Sequence, residues 1–159
     1  MNDNEKKLPK GAGKSSFELV NKDLLKDLLP VKNGNMVLDL ACGKGIYSIF
    51  LSELIGDEGK IYALDLWEEG IRLLNEKAGK ENINNITTIH ADGADLIKKG
   101  LKDIDTCLMA TVLHDFEEVG RAMEVLEQIT KMLYILTTMK LPILDYYQTQ
   151  ILFLTVVQC

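Results

Sequence analysis

One stretch decides the fold of this chain: Met36-Val37-Leu38-Asp39-Leu40-Ala41-Cys42-Gly43-Lys44-Gly45. Its first half is an apolar run with a β-branched residue, which is typical of a strand buried on both faces of a parallel sheet. Its second half holds small residues and two glycines, which allow a tight turn and the close approach of a ligand. Over residues 46–55, apolar residues recur at three- and four-residue steps, which predicts a helix. Strand, turn and helix form the first unit of an open α/β sheet, whose ligand site lies beyond the carboxyl ends of the strands.

Two classes of ligand use such a unit, and the residues of the turn separate them. A dinucleotide site requires G-x-G-x-x-G, whereas the matching positions here are Ala41, Gly43 and Ile46. Asp39 at the strand end would repel a pyrophosphate and favour an ammonium or sulfonium group. The stretch resembles motif I of class I S-adenosylmethionine-dependent methyltransferases, with alanine in place of the first glycine. The resemblance implies the cofactor S-adenosyl-L-methionine, with these residues in its site: Asp39, Ala41, Cys42, Gly43 and Gly45.

A second strand is predicted over 60–65 and ends in Asp65, about twenty residues beyond the glycine turn. A carboxylate there can accept hydrogen bonds from the vicinal hydroxyls of a ribose, which is the role that the resemblance implies. Leu66 and Trp67 follow directly and offer apolar surface to an adenine ring. The alternative role of Asp65 is to cap the helix predicted over 68–80, and both roles are compatible.

A third strand is predicted over 85–91 and is followed by Asp92 and Gly93. The resemblance implies that Asp92 accepts a hydrogen bond from the adenine amino group, while the backbone N–H of Gly93 meets a ring nitrogen. The alternative for Asp92 is to cap a helix predicted over 94–100. His90 is interpreted as a strand residue without chemistry.

A fourth strand, predicted over 105–110, leads into polar residues that should reach the same crevice. Thr111 is expected to face the methionine end of the cofactor. The segment Leu113-His114-Asp115-Phe116 resembles the His-Asp-aromatic segment of small-molecule O-methyltransferases. In some of those the histidine is the general base that deprotonates a hydroxyl, a role that suits a group titrating near neutral pH. His114 is therefore the candidate catalytic residue, and the alternative is a histidine that only shapes the pocket.

The segment before the first strand is polar at its start and apolar later. Residues 1–14 are predicted to be a flexible leader, and a helix is predicted over 17–29 with Ser15 or Ser16 as its cap. Lys14, Ser15 and Phe17 are candidates for lining the site, because the leader often folds over the cofactor in methyltransferases of this type.

The C-terminal third departs from the family pattern. A helix is predicted over 119–133, but the Pro-Gly-Gly turn that usually precedes the fifth strand is missing. Strands are possible over 134–138 and 151–157, and the abrupt change suggests truncation or a shifted reading frame. We therefore expect an α/β, doubly wound, mostly parallel Rossmann-like sheet with incomplete C-terminal strands. Its divisions are a leader and helix (1–33), a cofactor-binding core (34–133) and an atypical tail (134–159).

Composition narrows the possible partners and compartment. The chain has 159 residues and a net charge of −6, which argues against nucleic acid as a partner. Its three cysteines have neither disulfide-framework nor zinc-site spacing, so no metal site is expected and a cytoplasmic setting fits best. No apolar run reaches the length of a membrane span.

These observations predict an enzyme that transfers a methyl group from S-adenosyl-L-methionine to a small-molecule acceptor. The first alternative is a truncated or frame-shifted cofactor-binding domain without catalytic activity. The second is a nicotinamide-dependent oxidoreductase, which Asp39 and Ile46 disfavour.

Overall fold

The computed structural model describes residues 12–13, 15–29, 31–95, 100–110, 124, 126, 128, 130–140 and 150–158. One six-stranded sheet has the order β3-β2-β1-β4-β5-β6. The strands are β1 (Met36–Leu40), β2 (Lys60–Asp65), β3 (Ile86–His90), β4 (Ile104–Ala110), β5 (Thr130–Lys140) and β6 (Gln150–Gln158). The first five are parallel, and β6 is antiparallel to β5. The helices are α1 (Lys22–Leu28), α2 (Ile46–Ile55) and α3 (Glu68–Glu81).

Alternation along the strands divides the core between the two faces of the sheet. Val37 of β1 packs in a cluster with residues of α1, α2 and α3, whereas Leu38 and Leu40 pack on the opposite face with the helical residue Leu126. Helical residues therefore cover both faces. The doubly wound, Rossmann-like fold expected from the sequence is confirmed.

The strand order places a crevice beside the glycine turn. The chain runs outward from β1 through β2 to β3, then returns to form β4 on the other side of β1. Successive connections thus leave β1 and β4 in opposite directions, which opens a space at their carboxyl ends. Ala41 follows β1 directly and Ala110 ends β4, so both lie at this edge.

Three predicted helices differ from the observed ones. The single helix over 17–29 is wrong, because a short 3₁₀ helix (Phe17–Leu19) is separated from α1 by Asn21, whose side chain accepts a hydrogen bond from Leu24 N and caps α1. The helix over 119–133 is wrong at its end, because β5 already starts at Thr130 and pairs with β4. At the predicted 94–100 helix, the described residues form a 3₁₀ turn at Gly93–Asp95, and Gly100 lies in a turn.

The C-terminal region contributes two strands, as the sequence suggested, although both are longer than predicted. β5 extends across the proposed division at residue 133, so the division into 34–133 and 134–159 stays a prediction. In the described parts of the chain, no helix has the length and apolar character needed to cross a membrane.

Candidate functional site

The loop between β1 and α2 has left-handed backbone at alternate positions. The φ angles of Ala41, Gly43 and Gly45 are 61°, 56° and 72°. A Cβ placed on Gly43 would meet no atom within 4 Å, so a ligand has room to approach its backbone. A Cβ on Gly45 would lie 2.3 Å from Leu74 of α3, so this glycine permits close packing inside the protein. The two glycines thus differ: Gly43 faces open space and Gly45 faces the core.

The start of α3 packs directly on this loop. A Cβ on Gly70 would lie 2.6 Å from the carbonyl oxygen of Gly43 and 2.5 Å from Cε3 of Trp67. Only a residue without a side chain fits there unless the helix shifts. Gly70 was not among the predicted site residues, and a glycine in the first turn of a helix was its only signal in the sequence.

Asp39 lies beneath the loop rather than on its surface. Its exposed fraction is 1%, and the Ser48 hydroxyl of α2 donates a hydrogen bond of 2.5 Å to its Oδ2. Burial raises the pKa of Asp39, the charge of Asp65 raises it further, and the Ser48 bond opposes both. A ligand in the crevice would therefore not contact the oxygen atoms of Asp39.

Asp65 joins the glycine loop to the end of β2. Its Oδ2 accepts a 2.7 Å hydrogen bond from Gly43 N, and its Oδ1 accepts one of 2.7 Å from Trp67 N. Each carboxylate oxygen has a second lone-pair site, so hydroxyl donors can still bind. Asp65 is not the N-cap of α3, because Trp67 occupies that position without a side-chain cap.

Leu66 and Trp67 present apolar surface beside Asp65. The side chain of Leu66 is exposed, whereas the indole Nε1 of Trp67 is buried and has no hydrogen-bond partner among the described residues. Gly13 of the leader lies near the same ring, since a Cβ there would be 3.6 Å from Cη2 of Trp67. The leader therefore reaches the end of β2.

Asp92 and Gly93 lie at the same edge of the sheet, beyond β3. Ala91 N donates a 3.2 Å hydrogen bond to the carbonyl oxygen of Asp65, which joins this segment to β2. Asp92 is exposed and Gly93 is buried at the start of the 3₁₀ turn. Asp39 thus lies near the end of β1, Asp65 ends β2 and Asp92 comes after β3, so the three acids lie at the carboxyl ends of three neighbouring strands.

A cleft opens between the glycine loop and the leader. Its lining is Ser15, Ser16, Ala41, Cys42, Gly43, Lys44, Ile46, Tyr47 and Ala110. Burial raises the pKa of Tyr47 to about 12, and its hydroxyl lies 2.9 Å from Ser16 Oγ. This contact fastens the leader to α2. Burial also raises the pKa of the Cys42 thiol, so it stays protonated.

The residues that line the cleft match those predicted from the sequence only in part. Ser15 lines the cleft as predicted, whereas Phe17 packs in the core with its ring centroid 4.9 Å from that of Tyr47. Sequence reasoning missed Ser16 and Tyr47. The only signal for Tyr47 in the sequence was its position in the first turn of the helix that follows the glycine loop. Lys14, Thr111 and His114 lie outside the described residues.

Comparison with known proteins identifies the class of this fold and site. Residues 37–134, more than half of the chain, match the family described as "Methyltransferase domain". The chain belongs to this family. The match begins in β1 and ends in β5, so it includes the glycine loop and the ends of β2 and β3.

Individual relatives of this chain are also methyltransferases by name. Demethylmenaquinone methyltransferase of Geobacillus stearothermophilus is 32% identical over 75 residues, which are 47% of this chain and 32% of that protein. The protein of the same name from Listeria welshimeri is 35% identical over 69 residues, 43% of this chain and 29% of its own length. The chain thus spans about a third of the length of the curated relatives it matches.

One solved structure is similar to this fold over a larger part of the chain. It is a SAM-dependent methyltransferase from Aquifex aeolicus, with a TM-score of 0.72 and 28% identity. The superposition covers 83% of this chain and 71% of that one. The family and this structure imply S-adenosyl-L-methionine as the cofactor.

Proposed function

We propose that this chain binds S-adenosyl-L-methionine at the carboxyl edge of β1, β2 and β3 and transfers its methyl group to a small-molecule acceptor. The observation that carries the proposal is the pair of hydrogen bonds from Gly43 N and Trp67 N to Asp65. They hold an open glycine loop and a carboxylate together at the crevice where α/β sheets bind ligands.

Two further observations fit this cofactor. The open side of Gly43 leaves room for a ligand against the backbone. The buried Nε1–H of Trp67 has no acceptor within the described chain, and an unsatisfied buried donor costs about 1–3 kcal/mol. A ligand that offers an acceptor to this indole would remove that cost.

Each predicted residue has a part in the proposal. The methionine portion would lie along Ala41, Cys42 and Gly43, above the buried Asp39, with Thr111 at its end, and Gly45 would support this loop through its packing on Leu74. Asp65 would accept hydrogen bonds from the ribose hydroxyls, and the adenine would lie against Leu66 and Trp67. Asp92 and the backbone of Gly93 would meet the polar edge of the adenine.

The residues of the chain mainly position the reactants and exclude water. The bound cofactor supplies a methyl group that its sulfonium already activates. Positioning then supplies much of the rate, provided that the acceptor atom lies in line with the methyl group. His114 is proposed as the base that takes the proton of the acceptor.

The acceptor is proposed to be a small molecule, the kind of substrate that the names of the relatives state. The net charge of −6 supports a partner other than nucleic acid. Within the described part of the chain, Cys42 and Cys107 are buried and form no disulfide, which supports work in the reducing cytoplasm.

Calorimetric titration of the purified chain with S-adenosylhomocysteine and S-adenosyl-L-methionine tests the proposal. We expect micromolar binding that Asp65→Ala abolishes, because the ribose acceptor and the support of the loop are lost together. Asp57→Ala is the control, since Asp57 is an exposed turn residue after α2.

Methyl transfer to demethylmenaquinone is the second measurement. His114→Ala should keep cofactor binding and lose transfer. Wild-type protein that is folded yet binds neither compound would overturn the proposal and favour the alternative of a truncated or frame-shifted domain without activity.

A further inference from the structure

His90 makes a contact that no motif in the sequence predicted. It ends β3 and pairs with Asp65 in the register of β2 and β3, so both residues lie at the same edge of the sheet. Its Nε2 lies 3.0 Å from the backbone oxygen of Leu66. A carbonyl oxygen only accepts hydrogen bonds, so Nε2 carries a proton and donates it here.

This bond completes a series of contacts along residues 64–67. The carbonyl oxygen of Leu64 accepts from Cys42 N at 3.0 Å, and that of Asp65 accepts from Ala91 N at 3.2 Å. The carbonyl of Leu66 is held instead by a side chain, that of His90. The N–H of the same peptide, that of Trp67, donates to Asp65 Oδ1, so His90 holds the carbonyl side of a peptide whose N–H side Asp65 holds.

Leu66 itself is unusual for its exposure. Its exposed fraction is 52%, and among the described residues the only other large exposed hydrophobic side chains are Leu24 and Leu28 of α1. An exposed leucine follows the ribose-binding candidate directly, so a ligand bound at Asp65 would cover it. Apolar contact strengthens binding most when the surface is already ordered, because no entropy is then lost on binding.

We propose that His90 is a positioning residue, which holds the peptide of Leu66 so that the leucine side chain forms a preordered wall for the adenine ring. The inference rests on the proposed function, since it assumes an adenosine ligand at Asp65. It assigns a role to a residue that itself need not touch the reacting atoms.

Two substitutions of His90 and a matched control test this role. Gln places an amide N–H near the position of Nε2, so His90→Gln keeps the donor, whereas His90→Leu removes it. Thr88→Val is the control, because it removes an exposed 3.0 Å hydrogen bond, to Asn75, two residues earlier on the same strand.

The measurement is the dissociation constant of S-adenosylhomocysteine, followed by calorimetry and by the fluorescence of Trp67, the single tryptophan of the chain. We expect His90→Leu to weaken binding by about five- to tenfold, because the Leu66 side chain would then have to be ordered when the ligand binds. His90→Gln and Thr88→Val should stay within about twofold of wild type. The melting temperatures of all three variants should remain close to that of wild type, because the hydrogen bonds of His90 and Thr88 are exposed. His90→Ala replaces His90→Leu if the latter does not fold.

The outcomes separate this inference from the proposed function. Wild-type binding that His90→Leu leaves unchanged would overturn the inference alone, as would a His90→Gln protein that binds as weakly as His90→Leu. Equal weakening by Thr88→Val would also overturn it, because the effect would then belong to β3 as a whole. A folded wild-type chain that does not bind the compound would overturn both.

Discussion

Ala41 holds a backbone conformation that its own side chain disfavours. Its φ of 61° lies in the left-handed region, which costs a non-glycine residue about 1–2 kcal/mol. We expect Ala41→Gly to raise the free energy of unfolding by about 0.5–1 kcal/mol. Relief of the strain exceeds the added entropy of the unfolded chain, which is about 0.4–1 kcal/mol.

Urea unfolding checks this expectation against Ala63→Gly. Ala63 is buried in β2, where glycine is expected to cost about 0.5–1 kcal/mol. If both variants lose stability equally, the backbone at Ala41 is not strained.

Asp39 should make the stability of the protein depend on pH. Burial above all, and then the charge of Asp65, raises its pKa to about 7, whereas an unfolded chain releases this proton near pH 4. Between those values the folded state binds more protons, so the contribution of Asp39 to stability falls as pH rises and levels off above about 7. Asp39→Asn keeps the size of the side chain and does not titrate.

The measurement is the free energy of unfolding of wild type and Asp39→Asn from pH 4.5 to 8. We expect wild type to lose a few kcal/mol relative to the variant over this range, since one pKa unit corresponds to about 1.4 kcal/mol. Asp57→Asn serves as the exposed control. Parallel curves for wild type and Asp39→Asn would contradict the buried, protonated carboxyl.

The sequence indicated which strands these acids belong to, but not how far each acid is buried below the protein surface. An acid after an apolar run predicts a strand end, and Asp39 and Asp65 are both at strand ends. The partners of their oxygens come from distant positions, such as Ser48 for Asp39 and Gly43 for Asp65. The packing of α2 on the sheet brings Ser48 to Asp39, and the pairing of β1 with β2 brings Gly43 to Asp65. His90 had no local signal, because its partner is a carbonyl oxygen on another strand's end.

At the scale of elements, the contact between α3 and the glycine loop is the tightest link in the site. Gly70→Ala would place a methyl group against Gly43 O and the ring of Trp67, so the helix must move away. We expect a loss of about 1–3 kcal/mol in stability, the usual cost of overpacking, together with weaker binding of S-adenosylhomocysteine.

Gly79→Ala is the matched control in the same helix. A Cβ at Gly79 meets no atom within 4 Å, so alanine should stabilise the helix by about 1 kcal/mol through its higher helix propensity. Calorimetry and thermal unfolding of both variants provide the measurement. Equal stabilisation by the two substitutions would show that α3 does not rest on the loop.

Elements with a clear apolar periodicity were predictable from the sequence. Elements whose structure is decided by pairing with another strand were not. Helix α2 has the predicted bounds, because its periodic apolar residues lie between Gly45 and Gly56. Residues 130–133 are compatible with either a helix or a strand, and their pairing with β4 decides for the strand. At the N-terminus, the side-chain cap by Asn21 starts α1 later than periodicity alone predicts.

At the scale of the whole molecule, the sheet separates the cofactor site from the C-terminal strands. The residues proposed to bind the cofactor lie at or just beyond the carboxyl ends of β1, β2, β3 and β4 in the sequence. Strand β6 is separated from β4 by β5. We therefore expect β6 to affect the stability of the protein more than the binding of the cofactor.

Removal of residues 141–159 tests that separation. The deletion removes the nine residue pairs between β5 and β6, each worth about 0.2–1 kcal/mol, and leaves β5 as an open edge. We expect a lower melting temperature and greater aggregation, but a dissociation constant for S-adenosylhomocysteine within about twofold of the full chain, because β1, β2 and β3 keep their neighbours. Binding is measured at a temperature where circular dichroism shows the truncated chain to be folded. A folded truncated protein that no longer binds would mean that the tail reaches the cofactor site across two strands.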